Sequence, residues 1–380
     1  MIAEQVAPTP LDQPGPNVVE IDLGAVAANI AAIRRHIGAG VWLCAALKAD
    51  AYGFGLREVA PVVLEAGADA VAVDGVAGGV ALRRAGVQAP ILVYPRDVPS
   101  PAVVAAIAEY GLIGTVHDDV TLQLFTSHSG APLQVFLKVD SGLQRLGVDP
   151  SAVAEAVTRM VEANSVSLLG AYTHLLVRGT ASPPEGVVIS QFERFVAAVA
   201  CLPPQTMRMA ASSRVLAAFA GMRLEAVDPG RAVYGLPWRG DAQLQAGLRP
   251  ALLSLRTRLL QVKSPVAIGS DEPASVPLTG VTRIGILPMG KKDGFARLNA
   301  GHVLIGGRRA PLLGGPALAH CRVDLTEIPD AHSGDAVTII GSDEALKITV
   351  TDVLRHQPDL DAPAIGLELR ESIARRFVPA

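Results

Sequence analysis

The sequence predicts an α/β protein: a (β/α)8 TIM barrel followed by a C-terminal, mainly β domain. Three observations carry that expectation. From Val18 to about Leu248, short β-branched runs alternate with Ala-rich segments of helical period, the pattern of βα units laid on a parallel sheet. Eight such strands can be counted, and eight suits a closed barrel better than an open sheet. After Leu248 the helical period fades, and strand-like runs are separated by Gly and Pro turns. The division expected is therefore an arm over 1–17, a barrel over 18–248 and a β domain over 249–380.

Taken in order, the arm holds Pro8, Pro10, Pro14 and Pro16 and has neither a basic start nor an apolar core, so it reads as a loose extension rather than a signal peptide. The eight barrel strands are Val41–Leu47, Ala70–Val73, Ile91–Tyr94, Leu112–Val116, Leu133–Val139, Ser167–Thr173, Thr206–Ala210 and Glu225–Val227. In the second domain, Leu252–Lys263, Arg283–Pro288, His302–Leu313 and Ala336–Ile340 are strand-like.

Composition narrows the function. A chain of 380 residues, half of them hydrophobic, can bury a large core, and two domains are the default. The apolar stretch Val59–Leu82 is interrupted by Glu65, Asp69 and Asp74, so no membrane span is expected. With a net charge of -3 and scattered Lys and Arg, neither nucleic acid nor a membrane surface is an expected partner, which leaves small-molecule chemistry. Cys44, Cys201 and Cys321 form no C-x-x-C pair, so no disulfide framework or metal site is indicated and the reduced cytoplasm is the expected compartment.

In a barrel of this kind the chemistry sits at the C-terminal ends of the strands. The first strand runs into Lys48-Ala49-Asp50-Ala51-Tyr52-Gly53-Phe54-Gly55. An amine there is partly desolvated, which disfavours its charged form and suits a Schiff-base lysine; the bland reading is a lysine exposed at a strand end. Strand five ends in Lys138 to Gly147 with Asp140 and Arg145, and strand six ends at His174, a residue type more often a satisfied core histidine. After strand seven come Ser212 and Ser213, and after strand eight Asp228-Pro229-Gly230-Arg231. These two loops commonly cradle phosphate, although a serine there is most often a helix N-cap. A lysine on one side and a phosphate cradle on the other suggest a phosphorylated aldehyde cofactor.

The runs Lys48–Gly55, Lys138–Gly147, Tyr172–His174, Ser212–Ser213, Pro229–Gly230 with Tyr234–Gly235, and Gly290–Arg297 resemble, in order and spacing, successive motifs of the alanine racemase family. The resemblance implies pyridoxal 5'-phosphate as cofactor, an amino-acid substrate, a fold type III architecture and a homodimer whose active sites are shared between subunits. It makes Lys48 the cofactor lysine and Tyr52, Ser213, Gly230 and the Arg231 backbone phosphate ligands. It also places Arg145 on the cofactor's phenolic oxygen, Lys138 as a carbamylation candidate supporting that arginine, and His174 behind the ring.

Four departures accompany it. Lys291, in Gly290-Lys291-Lys292-Asp293-Gly294-Phe295, stands where the family has a catalytic tyrosine, and no tyrosine follows Tyr234. Asp228 replaces the arginine that faces the ring nitrogen, which favours a protonated ring and a stronger electron sink. Ser212 replaces an asparagine, and Ala317-Leu318-Ala319 replaces a Cys-Met-Asp run that helps position the substrate carboxylate. The leading reading is racemisation or epimerisation of an amino acid other than alanine, with Lys48 and Lys291 as opposing bases. The second is aldol cleavage, decarboxylation or transamination on the same scaffold, with Lys291 binding an acidic substrate group. The third is a non-catalytic pyridoxal-phosphate-binding protein.

Overall fold

The computed structural model describes residues 15–176, 185–238, 242–266 and 278–380; the expected loose arm falls outside these except for its last three residues. The chain forms two compact units, Leu23–Ala251 and a second that joins Leu252–Pro379 to the segment ending at Asp22. Strand β1 (Val18–Asp22) accounts for that join: it pairs antiparallel with Leu252–Arg258 and parallel with Ala374–Val378, burying Val19 and Ile21. The barrel unit consequently begins at Leu23 rather than Val18, because the backbone groups of β1 are satisfied by strands of the second unit's sheet.

Eight parallel strands build the barrel: β2 (Trp42–Ala46), β3 (Ala70–Asp74), β4 (Ile91–Tyr94), β5 (Gly114–Val116), β6 (Leu133–Lys138), β7 (Val166–Tyr172), β8 (Met207–Ala211) and β9 (Ala226–Val227). Their order, β4-β3-β2-β9-β8-β7-β6-β5, is closed by a parallel bridge between Leu92 and Ile113. Strands buried on both faces need continuous apolar runs, which is why Leu43, Cys44, Ala45, Ala46 and Leu47 are all buried. Inside the ring, Cys44, Ala70, Ala72 and Ala226 oppose the larger Leu92, Phe136, Tyr172 and Met209. Each large side chain there contributes about 1.5–3 kcal/mol by leaving water. The outer helices show the complementary period: Val153–Glu162 buries Val153, Ala156, Val157 and Met160, one stripe at i, i+3, i+4 and i+7.

The second unit is mainly β, with β10 (Leu252–Arg258), β11 (Gln261–Lys263), β12 (Ile284–Leu287), β13 (His302–Ile305), β14 (Arg308–Pro311), β15 (Cys321–Asp324), β16 (Ala336–Asp343), β17 (Leu346–Ile348) and β18 (Ala374–Val378). The large sheet runs β14-β13-β16-β10-β1-β18 with β17 added to β16, and β11-β12-β15 form a small one. Two short helices, Val350–His356 and Ala362–Glu368, interrupt it; Thr349 and Asp352 close a capping box on the first and Asp361 caps the second. Among the described residues no helix is long and apolar enough to cross a membrane, and no cluster of three metal-ligating side chains occurs.

Candidate active site

The barrel strands deliver their terminal residues to one cluster. After β2 the chain makes a single turn of left-handed conformation: Ala49, Asp50, Ala51 and Tyr52 all have φ between 53 and 59°. Each costs about 1–2 kcal/mol for an L-residue, so the turn needs external fixing. The Ala49 amide donates to Asp74 Oδ1 at the end of β3 (2.7 Å), the Leu56 amide to Asp50 Oδ1 (2.8 Å), and Gly53 closes back on the Ala49 carbonyl (2.9 Å). The result brings the Lys48 ammonium to 5.9 Å from the centroid of the Tyr52 ring.

Burial holds Lys48 below the usual lysine range; Asp228 opposes that shift and Arg145 adds to it. Lys138 ends β6, buried, with its Nζ 4.5 Å above the centroid of the Tyr172 ring. Burial, then Arg145, lowers it to about 8. His174 follows β7 and is held to about 3 by burial and by the neighbouring Lys48, Lys138 and Arg145, so it is a neutral imidazole at physiological pH. Arg145 itself lies on a loop wrapped around Asp140, whose carboxylate accepts from the amides of Gly142 (3.0 Å), Gln144 (3.1 Å) and Arg145 (2.9 Å).

Asp228 follows β9 and is buried, which pushes its carboxyl up to about 6 even though Tyr94 and Lys48 favour the ionised form. Tyr94, the last residue of β4, donates to Asp228 Oδ2 at 2.9 Å. Burial keeps that phenol protonated and therefore a donor. Asp228 Oδ1 is buried without a hydrogen-bond partner among the described residues. A buried acceptor left without a partner costs about 1–3 kcal/mol, so an orphaned carboxylate oxygen marks where a donor belongs.

The expected serine cap takes a different form. Ser212 occupies the N-cap of helix Ser213–Ala218 but makes no side-chain capping bond. Ser213 is buried, and its Oγ accepts from the amides of Gly230 (3.0 Å) and Ala232 (3.1 Å), which ties the β8 and β9 loops together. A Cβ at Gly230 would collide with the Tyr52 hydroxyl, so glycine is what lets that phenol lie against the backbone. Arg231 opens the short 3-10 turn Arg231–Tyr234 beside them. Hydroxyls and amides gathered here suit a phosphate, the orphaned Asp228 oxygen suits the protonated nitrogen of a pyridine ring, and Lys48 suits its aldehyde. The residues present therefore fit pyridoxal 5'-phosphate.

Two residues of this cluster went unread in the sequence, Tyr94 as the partner of Asp228 and Asp74 as the anchor of the left-handed turn. Each is the polar residue that ends an apolar barrel strand, a signal that marks the position but not the partner it meets.

Lys291 lies in the second unit, in the 3-10 turn Lys291–Asp293. The Lys291 and Lys292 amides donate to the carbonyls of Ala317 and Leu318 (both 2.9 Å), and the Gly290 amide donates to Asp293 Oδ2 (2.8 Å), while Ser372 donates to Asp293 Oδ1 (2.7 Å). Both lysine side chains are exposed and have no partner among the described residues. Ala317-Leu318-Ala319, which lacks an acid, thus holds the lysine turn through its backbone.

Comparison with known proteins agrees across both units. The family model "Alanine racemase, N-terminal domain" matches residues 21–237, and "Alanine racemase, C-terminal domain" matches 253–376. The alanine racemase of Symbiobacterium thermophilum is 35% identical over 378 residues, 96% of this chain and 97% of that protein. That of Geobacillus kaustophilus is 35% identical over 350 residues, 89% of this chain and 88% of that one. Among solved structures, alanine racemase from E. faecalis superposes with a TM-score of 0.83 at 27% identity, covering 96% of this chain and 98% of the other.

Proposed function

The chain belongs to the alanine racemase family, whose members depend on pyridoxal phosphate, and on that premise we propose that it racemises or epimerises an amino acid other than alanine. The observation that supports this most is the buried, partnerless Oδ1 of Asp228 in the same cluster as a desolvated Lys48. The cofactor, when bound, supplies the electron sink that weakens bonds at the amino-acid Cα.

The chain's own residues divide the remaining work. Lys48 holds the cofactor and, with its proton affinity lowered by burial, takes or returns the Cα proton on one face. Asp228, ionised above about pH 6, would hold a protonated ring nitrogen through its partnerless Oδ1 while Tyr94 fixes Oδ2. Ser213, Ser212, Gly230, the Arg231 backbone and Tyr52 bind phosphate. Neutral His174 would support the cofactor ring, and Arg145 would hold its phenolic oxygen. Lys138, at about 8, has enough free amine near neutral pH to add carbon dioxide, releasing a proton and placing a carbamate anion by Arg145.

Lys291 serves as the second base, contributed to the other face by the partner subunit of a homodimer. It stands in place of the family's tyrosine, and with Asp228 it makes this a divergent member. The presence of Asp228 also favours a second reading, another bond cleavage at Cα, because an acid at the ring nitrogen supports a stronger sink than a racemase needs. Incubating single enantiomers of candidate amino acids in deuterium oxide tests the choice. Deuterium uptake with loss of optical activity is the expected result; uptake with retained configuration, or release of carbon dioxide or an aldehyde, overturns racemisation.

A further inference from the structure

The second unit carries a concave basic site that the proposed chemistry does not use. A cavity of about 410 Å3 opens between the β13–β14 hairpin, β17 and helix Val350–His356, lined chiefly by His302, Arg309, Lys347, Asp352, Arg355 and His356. Five of these six carry cationic or protonatable nitrogen, in a chain whose net charge is -3, so composition does not account for the cluster. The one acid is already engaged. Asp352 Oδ2 accepts from the Thr349 amide (2.8 Å) and hydroxyl (2.7 Å), and Oδ1 accepts from Arg355 (2.8 Å).

The other nitrogen-bearing side chains are less engaged. Among the described residues, Arg309, Lys347 and His356 make no side-chain hydrogen bond or ion pair. The His356 ring lies where a side chain on Gly301 would stand, its Cε1 2.8 Å from that Cβ position, so the glycine makes room for an imidazole at the cavity edge. His302 Nδ1 is 3.2 Å from the Ala300 carbonyl, which leaves Nε2 for another partner. Burial, then Arg309 and His356, lower the proton affinity of His302, while Asp352 opposes them; these groups share one field.

We propose that this cavity binds a compact multivalent oxyanion of the diphosphate class. The volume lies in the range of small-molecule sites, and a guanidinium fork with an ammonium and two imidazoles is the donor set that phosphoryl oxygens take. Binding neutralises the unpaired charges of Arg309 and Lys347 as well as forming new bonds.

The test is calorimetric titration of cofactor-loaded protein with inorganic pyrophosphate at constant ionic strength, balanced with chloride. One saturable site is expected, weakened at least tenfold in R309A/K347A, whose exposed substitutions leave the thermal midpoint without ligand unchanged. A nucleoside diphosphate titrated in parallel separates sources: tighter binding than pyrophosphate indicates an esterified ligand, weaker binding the free ion. No saturable heat, or equal affinity in the wild type and R309A/K347A, overturns the proposal.

Discussion

The two units present the ionisable groups proposed for the reaction in opposite ways. In the barrel unit Lys48, Lys138, His174 and Asp228 are withdrawn from water, and burial is the first cause of every displaced proton affinity among them. In the second unit Lys291 and Lys292 stand in solvent on a turn whose backbone is tied down at Ala317, Leu318 and Asp293. One unit makes reactivity by environment, the other by placement. A solvated lysine on a fixed turn gains chemistry when a second surface desolvates it, whereas Lys48 is prepared within its own unit.

The largest effect bearing on this contrast is expected at Lys48. Lys48→Ala should lower turnover by at least about 10⁴-fold and abolish the visible absorbance of lysine-bound cofactor. Retention of that band would detach the barrel cluster from the cofactor altogether. Lys291→Ala should lower turnover by about 10²–10⁴-fold while leaving cofactor affinity and absorbance unchanged. If cofactor is lost as well, the exposed lysine belongs with the binding residues and the two units no longer differ in kind.

A third effect concerns His174 and is read in urea melts of cofactor-free protein. The native imidazole titrates near 3 against 6.5 in the unfolded chain, so the unfolded state binds more protons between those values. Stability should therefore fall as pH drops below 6.5, by about 2 kcal/mol at pH 5 from this residue alone. His174→Gln should remove that increment; an unchanged acid dependence would show that burial does not govern this group. The smallest effect is expected from Tyr94→Phe, about 1 kcal/mol of stability. Losing its hydrogen bond should also move the Asp228 titration upward, seen as a higher midpoint in the pH dependence of cofactor absorbance. A lower midpoint would contradict the role assigned to Tyr94.

Reading the sequence recovered the eight barrel strands to within about two residues because parallel strands buried on both faces are short continuous apolar runs, as Ile91–Tyr94 illustrates. The same runs single out Lys48, Lys138, His174, Ser213 and Asp228 as candidates, since each follows or ends one. The Tyr94–Asp228 pair was out of reach: barrel closure alone brings together residues 134 positions apart. The Val-Val-Glu-Ile run of β1 falls inside the span expected for the barrel because nothing in it says which sheet completes it. Helix Val350–His356 was missed, although Thr349 and Asp352 spell a capping box, because seven residues scarcely make two turns of periodic signal.

The left-handed turn from Ala49 to Tyr52 inverts the ordinary rules of substitution. In a right-handed helix, replacing alanine with glycine costs about 1 kcal/mol. At Ala49 or Ala51 the same replacement releases steric strain of about 1–2 kcal/mol, so removing a methyl group should make the protein harder to melt. Branching at Cβ is correspondingly closed to these positions. Substitution beside Lys48 is thereby channelled toward small or short polar residues.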